Sequence, residues 1–312
     1  MLEEVLGSRL LFVSGKGGVG KTSFAAAVAK TSAHFSKRVL LVEIDNFYPS
    51  LTAVFSTAPG YQPKMVEKNL AICNITWERA LEDWLLQTIK IRRVVNMIQK
   101  NKIAMLFLDA TPGAREIVIL SKVVSLLDSW DQVIVDLPAS GHALGVLRVP
   151  VTAKKLMRSG PIHDRASQVL KVLSQKSTKL AIVSLPEEMV VNETIEFMQK
   201  VAKGLPFMEK PDVVLNRASK PSLTPDELLL LERLEAEEDV MGAEARELLQ
   251  AGRWERDLES ATGIGLKRLK EACGEEIFSF TRLGNLGGYK GGPNQVVQQM
   301  YTEILRKVKN AK

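Results

Sequence analysis

Cysteine and histidine are nearly missing from this chain of 312 residues, which has two of the first and three of the second. Cys73 and Cys273 stand far apart and form no CxxC pair, so neither a disulfide framework nor a zinc site is expected. Long apolar runs are absent too. None approaches the roughly 18 residues that a membrane-spanning helix needs. The first fifteen residues, MLEEVLGSRLLFVSG, are acidic and lead straight into glycines, which is not the pattern of a secretion signal. A cytoplasmic protein is the expectation. The net charge of +6 is spread among mixed charges. The basic clusters, Lys90-Ile91-Arg92-Arg93 and Lys154-Lys155, are short and read as solvated surface. Nucleic acid is therefore not an expected partner.

What the chain does have is a series of short apolar runs. LLFVS (10–14), RVLLVEID (38–45), NLAICNI (69–75), QVIVDLP (132–138), KLAIVSLP (179–186) and DVVLN (212–216) read as buried strands. Between them lie helical stretches, among them TSFAAAVAKTSAHF and EEMVVNETIEFMQKVAKG. One amphipathic helix is expected over 77–100, and another over 112–128, which begins PGAREIVILSKVVSLL. Strands alternating with helices predict an α/β fold with a mainly parallel sheet flanked by helices. Ligands of such sheets bind outside the C-terminal ends of the strands. Asp45, Asp136 and Asn216 all fall at such ends, as does the glycine turn after the first strand. We expect one domain over 1–312, with an embedded helical subdomain at 77–128 and a variable helical segment at 224–274.

That glycine turn reads SGKGGVGKTS. Gly15, Gly20, Lys21 and Thr22 fill GxxxxGK[ST], the P-loop pattern, and Gly17, Gly18, Val19 and Ser23 complete the candidate nucleotide-binding set. Successive backbone N–H groups of such a loop turn inward around phosphate oxygens. Lys21 would reach the β/γ-phosphates, and the Thr22 hydroxyl would ligate Mg²⁺. ATP or ADP with Mg²⁺ is the expected ligand. Lys16 is surplus to a loop already served by Lys21. A lysine there suits a site completed across a dimer, where it would neutralise charge on the transferring phosphoryl group. Asp45 is the candidate for orienting the attacking water. Asp136 is the candidate Walker B carboxylate, acting on Mg²⁺ directly or through water.

GKGGVGKT resembles the deviant P-loop of the ParA, MinD, nitrogenase-iron-protein and ArsA-like ATPases, which dimerise around nucleotide. DLPASGHALGVLRVP narrows the choice. It resembles the switch II of the arsenite-pump ATPases and tail-anchored-protein targeting ATPases, DTAPTGHTLR, with Asp136, Gly141, His142 and Leu144 at matching positions and Ser140 replacing a threonine. ParA and MinD proteins lack that glycine-histidine pair. PGAREIVILSKVV, SLPEEMVVNETIEFMQKV, VVLNRAS and FTRLGNLGG also resemble family segments. The resemblance implies an ATP hydrolase of deviant P-loop fold whose switch II carries Asp136, Gly141 and His142, and whose adenine loop carries Asn216. It further implies a homodimer, or a heterodimer with a paralogue, bridging nucleotide, and a membrane-protein client or permease as partner.

Departures temper that picture. The loop after Asp45 reads Asn46-Phe47-Tyr48-Pro49-Ser50, where the family has proline, alanine and histidine, so slow or partner-stimulated hydrolysis is expected. The zinc-clamp cysteines of the targeting dimer and the metalloid cysteines of the pumps are missing. Trp77, Trp84, Leu85, Leu86, Ile89, Val94, Met97 and Ile98 offer apolar surface where the family places its client groove, and ordinary core explains them equally well. A positioning ATPase of ParA or MinD type is the alternative. The final QVVQQMYTEILRKVKNAK has the apolar stripe that a membrane-binding tail would need, although packing onto the body fits its small face better.

Overall fold

The computed structural model describes residues 2–103, 105–106, 111, 113–274, 277–283 and 292–310. Eight strands form one sheet: β1 (Leu10–Gly15), β2 (Val39–Ile44), β3 (Lys64–Glu67), β4 (Leu70–Ile75), β5 (Gln132–Asp136), β6 (Thr178–Ser184), β7 (Asp212–Ala218) and β8 (Phe278–Thr281). Their order is β3-β4-β2-β5-β1-β6-β7-β8. Every pairing is parallel except β3 with β4, a short antiparallel hairpin at one edge. Within β1, Leu10 and Phe12 belong to one core while Leu11 and Val13 belong to the other. Because both faces are covered, the strands read as unbroken apolar runs rather than as alternation.

One face is covered by α1 (Leu2–Gly7), α2 (Lys21–His34), α3 (Leu51–Phe55) and α12 (Pro293–Asn310). Alanines dominate α2, which lets it lie close to the sheet and to α12. Val297, Met300, Ile304 and Val308 of α12 are buried in this core, so the stripe of the last helix is used in packing. The other face carries α4 (Trp77–Ile89), α5 (Arg92–Lys100), α6 (Ala114–Leu126), α7 (Ser140–Leu156), α8 (Pro161–Leu173) and α9 (Glu188–Gly204). The hairpin of α10 (Pro225–Ala236) and α11 (Ala243–Cys273) follows β7, and the C-terminal part of α11 packs on this same face.

The single helix expected over 77–100 is two helices. Lys90 adopts a left-handed conformation (φ 58°) and its N–H closes back on the Leu86 carbonyl, while Ile91 is extended. A β-branched residue in extended backbone cannot continue the helix, so α5 restarts at Arg92. Trp77, Leu81 and Leu85 of α4 join the main core with Leu120 and Val123 of α6, whereas Met97 of α5 is 65% exposed. Asp83 of α4 accepts hydrogen bonds at 2.6 Å from both the Tyr61 hydroxyl and the Lys122 ammonium of α6. Much of the apolar surface at 77–128 is thus core closed by a polar clamp.

Candidate functional site

Strand order puts β5 and β6 on either side of β1, so the chain changes direction at the C-terminal end of β1. A crevice opens at such a point. Residues 15–20 fill it. Gly15 has φ 147°, and a Cβ on it would lie 2.3 Å from the Val183 carbonyl oxygen, so only glycine lets β1 turn there against β6. Gly20 (φ 96°) precedes α2, and a Cβ on it would lie 2.5 Å from Asn216 Nδ2. Lys21 and Thr22 form the first turn of α2, whose N-terminus points into the loop. Gly17 and Gly18 sit at the loop's exposed front.

Below the loop, Thr22 Oγ1 donates to Asp136 Oδ2 at 2.5 Å, and Lys21 Nζ donates to the Lys16 carbonyl at 3.1 Å. Burial pushes the Asp136 carboxyl up to about 7, against the opposing pull of Thr22 and Lys21. Burial also lowers Lys21. Asp136 Oδ1 is buried with no hydrogen-bond partner among the described residues. A hard cation beside the Thr22 hydroxyl and an anionic phosphate beside Lys21 fit this donor set, because each meets a buried group of opposite charge or an orphaned oxygen. These residues, with Glu43, Asp45, Asn46 and Ser50, line a cavity of about 350 Å³.

Asp45 ends β2 in left-handed backbone (φ 48°), and its Oδ1 accepts from the Trp77 N–H at 3.3 Å. The loop after it rests on two buried side chains that sequence reasoning did not single out. Glu43, 2% exposed, accepts from Ser50 N–H at 2.8 Å, Leu51 N–H at 3.4 Å and Asn46 Nδ2 at 3.2 Å. Asn74 donates to the Asn46 carbonyl at 2.7 Å. The only hint in the sequence is a carboxylate inside an apolar strand, VLLVEI. Burial raises the Glu43 carboxyl, opposed by these hydrogen bonds.

Four further candidate residues sit elsewhere around the crevice. Lys16 is ion-paired with Glu193 of α9 at 2.7 Å within its own chain, both side chains being partly exposed. Gly141 and His142 lie exposed in the first turn of α7 rather than in a free loop. Asn216 is buried at the end of β7, donating to the Val19 carbonyl at 2.8 Å and accepting from Arg217 N–H. It thereby fixes the P-loop from behind. Beside it a cavity of about 500 Å³ runs between Gly20, Ser23, Arg217, Arg282 and the start of α12. Residues 284–288 of FTRLGNLGG lie outside the described residues. Cys73 on β4 and Cys273 at the end of α11 are buried and form no disulfide.

A glycine turn between β1 and α2, opposed by a strand-end aspartate that meets its threonine, defines a P-loop nucleotide-binding fold. Residues 8–174, more than half of the chain, match the family described as Anion-transporting ATPase, and the chain belongs to that family. It is 29% identical over 238 residues to the ATPase BagA of Mycobacterium tuberculosis, covering 71% of this chain and 68% of that protein. It is 27% identical to a protein of Aquifex aeolicus assigned by name as an arsenical pump-driving ATPase, covering 66% of this chain and 74% of that protein. It is 27% identical over 175 residues to the ATPase get3 of Schizosaccharomyces japonicus, covering 51% of this chain and 52% of that protein. No helix among the described residues is long and apolar enough to cross a membrane.

Proposed function

We propose that this chain is an Mg-dependent ATPase that works as a nucleotide-bridged dimer and uses the ATP cycle to switch its helical face toward a client or transport partner. The observation that carries the reading is the convergence of Lys21, Thr22, Asp136 and Asp45 around one cavity at the strand ends. Mg²⁺, when bound, would neutralise phosphate charge as the terminal phosphoryl group leaves. Thr22 and Asp136 would hold it, the P-loop amides and Lys21 would hold the phosphates, and Asp45 would orient the attacking water. Asn216 and the neighbouring cavity would take the base. Lys16 would leave Glu193 and serve the partner's site. Gly141 and His142 would carry the nucleotide state into α7. Asp45 also meets the first N–H of α4, which gives the water-orienting residue a direct line to the helical region.

A client-targeting or permease-linked role follows the family resemblance. The alternative, positioning on a membrane through the last helix, is disfavoured by the burial of that helix's apolar face against the sheet. The test uses two single variants, Lys16→Ala and Asp45→Asn. Each alone should retain ATP binding and lose turnover. Mixed in equal amounts, they should recover about a quarter of wild-type turnover, because half of the dimers are mixed and each of these has one intact site. Recovery requires Lys16 to act in trans. No recovery from two inactive variants would sink the shared site, and undiminished turnover in Asp45→Asn would remove that residue from its role.

A further inference from the structure

The hairpin of α10 and α11 has a charge unlike the rest of the protein. Between 225 and 260 there are twelve carboxylates and four arginines, in a chain whose net charge is +6. Charges that read as mixed along the sequence are therefore segregated in space. Glu235 and Glu238 pair with Arg253, and Glu235 also pairs with Arg256. Between the two helices lies an open cavity of about 560 Å³, its floor made by Leu230, Leu234, Met241 and Leu248. Gly252 permits this arrangement, since a Cβ there would lie 2.7 Å from a methyl of Leu231. Leu230 is 54% and Leu248 75% exposed. Glu227 and Glu255 stand at the rim with no basic partner among the described residues. An apolar floor with an acidic rim fits a basic amphipathic helix.

Such a helix is carried by the chain itself. From 84 to 108 there is no acidic residue, while Lys90, Arg92, Arg93, Lys100 and Lys102 lie within thirteen positions. Only Val95 of α5 is fully buried, and Ile91, Met97 and Ile103 are 57%, 65% and 80% exposed. None of the five cations forms an ion pair among the described residues. The lengths agree as well: α5 is roughly 14 Å long and α10 roughly 18 Å at 1.5 Å per residue. We propose that the α10–α11 groove receives the α5 segment of a second copy of this chain. The contact involves neither the P-loop nor Lys16, so it forms without nucleotide and stands or falls separately from the nucleotide-bridged dimer.

The test begins with a fluorescent peptide of residues 90–103 titrated with the nucleotide-free 312-residue protein. Saturable binding that weakens with added salt is expected. Leu230→Glu with Leu248→Glu, both at exposed positions, should weaken it by at least about tenfold, as should a scrambled peptide of the same composition. Circular dichroism of the doubly substituted protein checks that it remains folded. Equal binding of the scrambled peptide would reduce the effect to bulk charge and overturn the proposal, as would no binding at all. Sedimentation then asks whether the occupant is a second copy. Wild type should self-associate without nucleotide. Arg92→Glu with Arg93→Glu should not, and mixing it with Glu227→Arg, Glu255→Arg protein should restore association. A wild type that stays monomeric at about ten times the peptide's Kd would overturn the second copy as occupant.

Discussion

Truncating Glu43 to alanine separates what holds the loop after β2 from what binds nucleotide. Its carboxylate accepts from the Ser50 and Leu51 N–H groups and from Asn46, while lying 2% exposed at the end of an apolar strand. Alanine would leave the Leu51 amide unpaired in the interior, since Leu51 is fully buried, while Ser50 is exposed and its amide can turn to water. An orphaned buried donor costs about 1–3 kcal/mol. Removing a carboxylate whose burial is itself unfavourable offsets part of that, so the lower half of the range is expected. For a chain this large the melting temperature should fall by roughly 1.5–3 °C. The local effect should exceed the global one. At five residues, α3 is too short to hold itself, and without its carboxylate anchor the loop carrying Asp45 loosens. ATP affinity should stay within about threefold of wild type, because no P-loop contact changes, while turnover falls by about tenfold or more. Thermal melting, binding of a fluorescent ATP analogue and steady-state phosphate release measure the three quantities. A lower melting temperature with unchanged turnover would refute the claim that Glu43, by holding the loop that carries Asp45, supports turnover. If both stay unchanged, the three hydrogen bonds contribute nothing.

Glu193→Ala should free Lys16. Since a half-exposed ion pair is worth about 0.2–1 kcal/mol, nucleotide-dependent pairing should tighten by at most about fivefold, read as the concentration dependence of turnover. Unchanged dependence would mean that the pair does not compete with the partner's site. At the surface, hydrogen bonds from Arg38 hold the Asp131 carboxyl down at about 2. That contribution is present above the ordinary carboxylate range and fades as pH falls toward 2. NMR titration should find the depressed midpoint, and Arg38→Gln should return it toward 3.8. A midpoint near 3.8 in wild type would exclude the bidentate contact.

The parallel sheet was legible because burial on both faces leaves a simple trace, apolar runs ended by Gly, Asp or Asn. The glycine turn with Gly15, Lys21 and Thr22 was legible because a P-loop needs particular residue types at fixed spacing. The elements hidden from the sequence depend on neighbours instead. β3 is largely exposed and among the described residues pairs only with β4, so KMVE carries no burial pattern. The break at Lys90 rests on one left-handed residue with no glycine to announce it. Glu43 and Asn74 look like interruptions of apolar strands until the fold sets them beneath the same loop. Glu193 lies far along the chain from Lys16 and meets it only because β6 lies beside β1.

That last juxtaposition bears on how the protein could be held inactive between encounters. The Lys16 side chain makes no contact that shapes its own loop. The Lys16 carbonyl supports Lys21, yet the ammonium points away to α9. Asp45 likewise spends its carboxylate on the first N–H of α4. Both groups that the chemistry would need are therefore engaged by helices of the same face, at the expense of one exposed ion pair and one 3.3 Å hydrogen bond. Neither contact is strong, since exposed ion pairs and single hydrogen bonds each contribute about 1 kcal/mol. Restraints of that size are small enough for nucleotide and a second copy to displace. Activation would then require no unfolding of the sheet, only the exchange of two weak internal partners for phosphate and water.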